Sequence, residues 1–307
     1  MKRPRARPRS VAPRAVPDAS GLPEAAAAGP RPGRPVRPGG EATRSAGRGS
    51  ARHQGKAEEK VHGVRACEAL FARRPEAIIR VYVAEERRRR FARLLEHCAA
   101  RRLGFQVVAA DSLARLSAST HHEGIVILSR ARRRWGASDL LQAIDGADGL
   151  NGPLVYLDGV QNPHNLGAIL RTAAHFGAAA ILGARGELPP LSPAAVRVAE
   201  GAAETVIVCE LAEPRADLGQ LKNRGYRVVT TSSHRGRPLA EGLPEGKAVF
   251  VLGSEGEGVS PEIAAIADAA VRISGTGQVE SLNVSVACGV VLYEAWRRRA
   301  ARPDRRA

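Results

Sequence analysis

From about residue 61 onward, apolar positions fall into short runs separated by polar, glycine- and proline-bearing turns, and the period of the runs alternates. Val64, Cys67, Leu70 and Phe71 recur at three- and four-residue spacing, which predicts an amphipathic helix over 64–73. Residues 78–84 are almost continuously apolar and rich in β-branched side chains, and they predict a buried strand. A second helix follows, with Phe91, Leu94, Leu95 and Cys98 at core spacing. Strands at 105–108 and 124–128 then flank a short helix at 112–116. Strand and helix alternate here as in a small α/β unit, with folding expected to begin near residue 60.

The pattern resumes at Leu154-Val155-Tyr156-Leu157. Later strands are expected at 180–182, 205–208, 227–230 and 248–252. The intervening helices run near 166–176, closed by Gly177, near 193–200, with Ser192 as N-cap and Pro193 in first position, and near 217–223. A helix over 284–299 closes the chain. Near-continuous apolar strands alternating with helices predict a mostly parallel sheet covered on both faces. Between the two units lies a basic knot, Arg132-Arg133-Arg134, then a helical stretch at 139–144 and a Gly/Asp/Asn-rich turn; residues 132–152 read as a linker.

Composition sharpens this picture in two ways. Hydrophobic residues make up 44% of the 307 but aromatics only 4%, so the core must be built from Ala, Val, Leu and Ile. The formal net charge of +16 is unevenly placed: residues 1–55 contribute +9 and residues 297–307 contribute +5, leaving +2 for the body. Residues 1–55 also hold nine prolines and few large apolar side chains, so they are expected to be disordered. Cationic ends suit a polyanionic partner such as nucleic acid. A plain solubility tail would carry the same charge. Cys67, Cys98, Cys209 and Cys288 are widely spaced and form no metal-ligand pattern, so no metal is expected. No signal-type apolar segment follows the basic start, and no apolar run reaches the ~18 residues of a membrane span. A cytoplasmic protein with no membrane partner is the expectation.

Three loops carry the candidate chemistry. The first, Asn162-Pro163-His164-Asn165-Leu166-Gly167-Ala168-Ile169-Leu170-Arg171-Thr172, opens a helix. Arg171 could be a solvated helix arginine, yet its apolar and small neighbours set this face toward a site or a partner. The second, Gly253-Ser254-Glu255-Gly256-Glu257-Gly258, follows the most apolar strand, and glycines at the carboxyl end of a parallel strand let backbone groups approach a ligand. Its spacing and late position differ from the dinucleotide fingerprint, which leaves a nucleotide-dependent oxidoreductase as a rival reading only. The third runs from Ile273 to Asn283, where Ser281 and Asn283 would also suit a helix cap. His164 reads as a turn residue, His121 and His122 as loop residues of the small unit, and Glu200 carries no assigned chemistry.

In this order the three loops resemble those of the SpoU/TrmH family of RNA ribose 2′-O-methyltransferases, of the SPOUT superfamily. The chain looks like a divergent branch with a long basic N-terminal tail. The family commonly has Ile-Pro-Met ahead of the glycine of the third loop, whereas this chain has Ile273-Ser274-Gly275 and keeps Ser281, Leu282 and Asn283. Residues 56–131 are similar to the substrate (RNA)-binding domain that precedes the catalytic domain in that family. The resemblance implies a catalytic domain at 153–300, a deep trefoil knot within it and a homodimer, and the charge count leaves a basic tail at 301–307. It implies S-adenosylmethionine (SAM) as cofactor and RNA as substrate, ribosomal RNA ahead of transfer RNA. Asn165, Arg171, Glu255, Ser281 and Asn283 would then be catalytic, and Leu252, Gly253, Gly258, Ile273, Gly277 and Leu282 would bind the cofactor. Arg171 is either the base or a clamp for phosphate and forming alkoxide, since a guanidinium rarely deprotonates in proteins. The rival within the fold is an RNA-binding ribosome-assembly factor with little or no methyl transfer.

Overall fold

The computed structural model describes residues 57–147 and 149–301. The expected tail at 1–55 lies outside the described residues, as does 302–307 of the C-terminal one. The first unit comprises β1 (Glu58–His62), α1 (Val64–Arg73), β2 (Ile78–Val83), α2 (Ala92–Ala100), β3 (Gly104–Val107), α3 (Ala110–Ser117) and β4 (Ile125–Arg130). Its sheet order is β1-β4-β2-β3, with β4 antiparallel to both neighbours and β2 parallel to β3. Strand β1 was not expected from the sequence: only Val61 and His62 are buried along it, so its apolar signal is short. Gly63 and the turn before β4 are brought together, and a Glu123 Oε2 accepts the Val64 N–H at 2.8 Å where α1 begins.

The second unit comprises β5 (Trp135–Gly136), α4 (Ala137–Asp145), β6 (Leu154–Asp158), α5 (Pro163–Phe176), β7 (Ala180–Ala184), α6 (Pro193–Val198), β8 (Ile207–Leu211) and α7 (Pro214–Lys222). It continues through β9 (Arg227–Ser232), β10 (Arg237–Pro238), α8 (Leu239–Gly242), β11 (Ala248–Gly253), α9 (Pro261–Ala264), β12 (Ala269–Arg272) and α10 (Val284–Ala300). The sheet runs β10-β12-β9-β11-β6-β7-β8-β5, and every ladder is parallel. Alternate residues face opposite sides, as strand geometry requires. Val155, Leu157, Phe250 and Leu252 join α5 and α10 in one cluster, while Leu154, Tyr156, Val249 and Val251 join α4, α7 and α9 in another. Both faces are therefore covered, which is why these strands read as unbroken apolar runs.

Some elements differ from the sequence expectations. Residues 132–152 contain β5 and α4, which buries Leu140 and Ile144 against the sheet. Strand β8 starts at Ile207 because Thr205 and Val206 donate their N–H groups to the Ala202 carbonyl, extending a 3-10 turn. Helix α6 ends at Val198, two residues before the positive φ of Glu200. No helix among the described residues is long and apolar enough to cross a membrane.

Four charged side chains tie the two units together. Arg74, at the end of α1, donates to Glu204 Oε2 (2.7 Å) and to Glu59 Oε1 (2.8 Å). Arg132 donates to Glu59 Oε2 (2.8 Å) and to Glu204 Oε1. The Glu204 side chain is only 2% exposed. Burial pushes its carboxyl up, but the hydrogen bonds and charges of Arg74 and Arg132 outweigh that and hold it below the ordinary glutamate value. One apolar cluster also runs through both units, from Val61 and Leu70 to Val196 and Ala203.

Removing one partner of a buried charge cluster leaves the others uncompensated, typically at a cost of about 3–5 kcal/mol. Glu204→Ala should therefore lower unfolding free energy by an amount of that order in urea titrations at neutral pH. Because the Glu204 pKa is depressed on folding, its contribution is complete above about pH 4.3, the ordinary glutamate value, and is withdrawn as pH falls below it. The gap between wild type and variant should narrow accordingly on acidification.

Candidate active site

The site starts from the way β11 ends. Its last residue, Gly253, lies in register beside Asp158 of β6. A Cβ on Gly253 would collide with the Gly258 carbonyl carbon and the Val259 nitrogen, so only glycine lets the following loop double back. Ser254 and Gly258 seal the loop by exchanging backbone hydrogen bonds, 3.1 Å each way. Asp158 Oδ2 then accepts the Ser260 N–H at 2.7 Å and fixes the far side of the turn. Asp158 carried no role in the sequence expectations; its only signal was an acidic residue ending an otherwise apolar strand.

This closure puts Glu255 at an exposed tip, where residues of the other two loops meet it. Asn165, in the first turn of α5, donates from Nδ2 to Glu255 Oε1 at 3.3 Å. Asn283 donates from Nδ2 to the same oxygen at 3.0 Å and to Asn165 Oδ1 at 3.2 Å. One side chain from each of the three loops thus joins a single hydrogen-bonded cluster. Asn283 also caps α10, its Oδ1 accepting from Ser285 N (2.9 Å) and Ser285 Oγ (2.6 Å), so capping and clustering coexist in one residue. Glu255 Oε2 accepts no hydrogen bond among the described residues, and the residue is exposed.

The remaining expected residues divide. Leu252 is buried, Ile273 is half-buried, and Gly258, Gly277, Ser281 and Leu282 are exposed. His234, after β9, reaches Glu280 at 3.1 Å and brings a further loop to the rim. Arg171 is not in the cluster. Six residues beyond Asn165 on α5, it lies about 9 Å further along the axis and a third of a turn away. It is exposed and makes no hydrogen bond or ion pair among the described residues, so the expectation of a tucked face is not met within one chain.

The arrangement suits a cationic, partly apolar ligand with many hydrogen-bonding edges. Glu255 offers a carboxylate and the Gly253-to-Gly258 loop a backbone free of side chains, while Val279 and Leu282 of the third loop are among the exposed large hydrophobics. A sulfonium-bearing adenosine fits that description. His164 sits in the turn where Asn162 Oδ1 accepts its N–H, as expected of a turn residue.

Comparison with known proteins gives the same picture. Residues 152–293 match the SpoU rRNA methylase family, and residues 60–135 match the RNA 2′-O ribose methyltransferase substrate-binding family. An uncharacterized tRNA/rRNA methyltransferase, YfiF, from Escherichia coli O157:H7 is 38% identical over 250 residues, covering 81% of this chain and 71% of that protein. The 23S rRNA (guanosine-2′-O-)-methyltransferase RlmB of Bordetella pertussis (strain Tohama I) is 37% identical over 241 residues, 77% of this chain and 96% of that protein. Among solved structures, the SpoU methyltransferase AviRb from Streptomyces viridochromogenes, crystallised with its cofactor AdoMet, superposes with a TM-score of 0.64 at 22% identity. The match covers 80% of this chain and 92% of that one, and at this identity it establishes the fold.

Asn283 separates cap from cluster. Asn283→Ala loses both and should cost about 1 kcal/mol in urea titrations, the usual size of a lost N-cap. Asn283→Asp keeps the cap but sets a carboxylate against Glu255, so each raises the pKa of the other. Its destabilisation should be full at pH 7, where both are ionised, and should fade as pH falls through the carboxylate range.

Proposed function

We propose that this chain, which belongs to the SpoU rRNA methylase family, transfers a methyl group from SAM to a ribose 2′-hydroxyl of RNA, with ribosomal RNA as the substrate. The observation that carries the reading is the cluster of Asn165, Glu255 and Asn283, one residue from each loop. The relative named for guanosine 2′-O-methylation of 23S rRNA supports the substrate class. The rival reading as an assembly factor without catalysis gains no support from the geometry, because the cluster is intact.

When bound, SAM supplies a methyl carbon already activated on sulfur, so the protein's work is positioning and electrostatics. Leu252, Gly253, Gly258, Ile273, Gly277 and Leu282 would hold the adenosine and its tail. Asn283 and Asn165 orient the Glu255 carboxylate, which would complement the positive charge of a bound sulfonium. Ser281, two residues before Asn283, is exposed and would offer its hydroxyl there. For the ribose oxygen to accept that methyl group, the hydroxyl proton must leave. Arg171 remains protonated and acts as the clamp, stabilising the forming alkoxide and the neighbouring phosphate, while a phosphate oxygen or water takes the proton.

Arg171, outside the cluster in its own chain, would reach such a site from a second copy of the chain. Val286, Tyr293 and Trp296 on α10 are 51%, 49% and 44% exposed, and Tyr293 and Trp296 cluster with Phe176 at the end of α5. A homodimer that covers this aromatic face would carry Arg171, one turn away on α5, to the partner's loops. The trefoil knot belongs to the same reading: beyond β12 the chain returns in α10 to pack on α5 and β11. The compartment that fits such an activity is the cytoplasm.

A subunit-mixing assay tests both the chemistry and the sharing. With tritiated SAM and ribosomal RNA lacking the modification, Arg171→Ala should lose methyl transfer while SAM affinity stays within a few-fold. Gly253→Ala should lose SAM binding as well. Mixing the two inactive variants should restore roughly a quarter of wild-type activity if subunits exchange at random, since half the dimers then hold one complete site. Full activity of Arg171→Ala would remove that residue from the mechanism.

A further inference from the structure

A cavity of about 590 Å³ lies beside the C-terminal half of α5, away from the three-loop cluster. Its walls come from both units: Ala69 of α1 on one side, and Arg171, His175, Glu200, Gly201 and Thr205 on the other. Arg171 and Glu200 are opposite charges in one cavity, yet they are not paired with each other. Both are exposed, and neither side chain makes a hydrogen bond or ion pair with any described residue.

Glu200 is held there on a strained backbone. Its φ of 52° lies in the left-handed region, which costs a non-glycine residue on the order of 1–2 kcal/mol. Gly201 continues the turn at φ 91°, and a Cβ on it would stand 2.7 Å from the Ala69 Cβ, so glycine is what seats α1 against this turn. Backbone bonds from Glu200 N to Arg197 O (3.0 Å) and from Ala202 N to Ala199 O (2.9 Å) lock the turn. Glu204, just beyond, is clamped by Arg74 and Arg132. An exposed, unpaired carboxylate on so rigid and strained a base is poised for a ligand.

The two charges define that ligand's chemistry. A guanidinium recognises phosphate through its fork of donors. A carboxylate only accepts, so it needs a base edge with two adjacent N–H donors. Guanine alone offers this on its Watson–Crick edge, through N1–H and the 2-amino group. Adenine and cytosine place a ring-nitrogen acceptor beside their amino group, and uracil places its N3–H between two carbonyls. Unstacked bases of single-stranded RNA are read on this edge.

We propose that this cavity is a nucleotide subsite in which Glu200 reads a guanine of the RNA while Arg171 holds a phosphate next to it. This rests on the reading of the chain as an RNA-binding methyltransferase and deepens it to base recognition.

The test uses fluorescently labelled five-nucleotide RNAs, UUXUU, with X as guanosine, inosine, adenosine or cytidine, titrated by anisotropy against the full chain. Inosine retains N1–H and lacks the 2-amino group. One bidentate pair discriminates by about 1–3 kcal/mol, so wild type should bind the guanosine RNA about tenfold more tightly than the other three. Glu200→Ala and Glu200→Gln should each flatten that preference to within twofold and leave the adenosine RNA bound as before. Equal affinities in the wild type, absence of binding to all four RNAs at millimolar concentration, or survival of the preference in either variant would overturn the proposal. SAM titration of the same preparations keeps the two claims apart. A guanine preference that depends on Glu200 in a chain that binds no SAM would uphold the subsite and remove the methyltransferase reading.

Discussion

Gly253 approaches Gly258 so closely that no side chain fits between them, and the rest of the site depends on that contact. Strand β11 is flanked on both sides by parallel partners, β6 and β9, so the direction in which the chain leaves the sheet is fixed. The reversal that follows is held by the Ser254–Gly258 bonds and by Asp158 on Ser260. Only then does the Glu255 carboxylate stand where a side chain from α5 and one from the start of α10 can both donate to it. A buried sheet thus sets a loop, and the loop sets a charge. The catalytic proposal is a reading of where that charge lies.

The second constraint is the way two α/β units are fastened. Glu59 and Glu204 each bridge Arg74 and Arg132, and a shared apolar cluster backs the ion pairs. Charge clusters of this kind add orientation more readily than net stability, because desolvation offsets much of the attraction. Orientation is what the cavity beside α5 needs, since Ala69 reaches it only with α1 seated on Gly201. Arg171 sits between the two regions, close to the cavity in its own chain and absent from the three-loop cluster. Under the proposed reading, that one arginine would couple the grip on RNA to the reacting oxygen in a partner.

Much of this was legible in the residues. Leu154 to Leu157 and Ala248 to Leu252 read as buried strands because both their faces are covered, and the three loops were recognisable from their glycines, asparagines and glutamate. What was not legible depended on partners distant in sequence. Strands β5, β10 and β12 have two to four residues each, too short for a period, and exist only because a neighbouring strand offers a ladder. Helix α4 was expected at 139–144, but its packing was not: Leu140 and Ile144 bury against the sheet of the second unit, whereas the surrounding arginines and glycines suggest a linker. Asp158 and Glu200 show nothing locally: one acts through a backbone N–H far along the chain, and the other is distinguished by a φ angle. Arg171 has apolar neighbours in sequence, but helical rotation turns its own side chain outward.

The most direct measurement is the position of sulfur in a crystal of the full chain grown with SAM, located by anomalous diffraction. The account predicts a sulfur atom at the Asn165–Glu255–Asn283 cluster, with the adenosine against the Gly253-to-Gly258 turn and the segment from Ile273 to Leu282. A ligand sulfur, distinct from those of the four cysteines and Met1, found anywhere else on the chain, or crystals that take up no ligand at millimolar concentration, would contradict it.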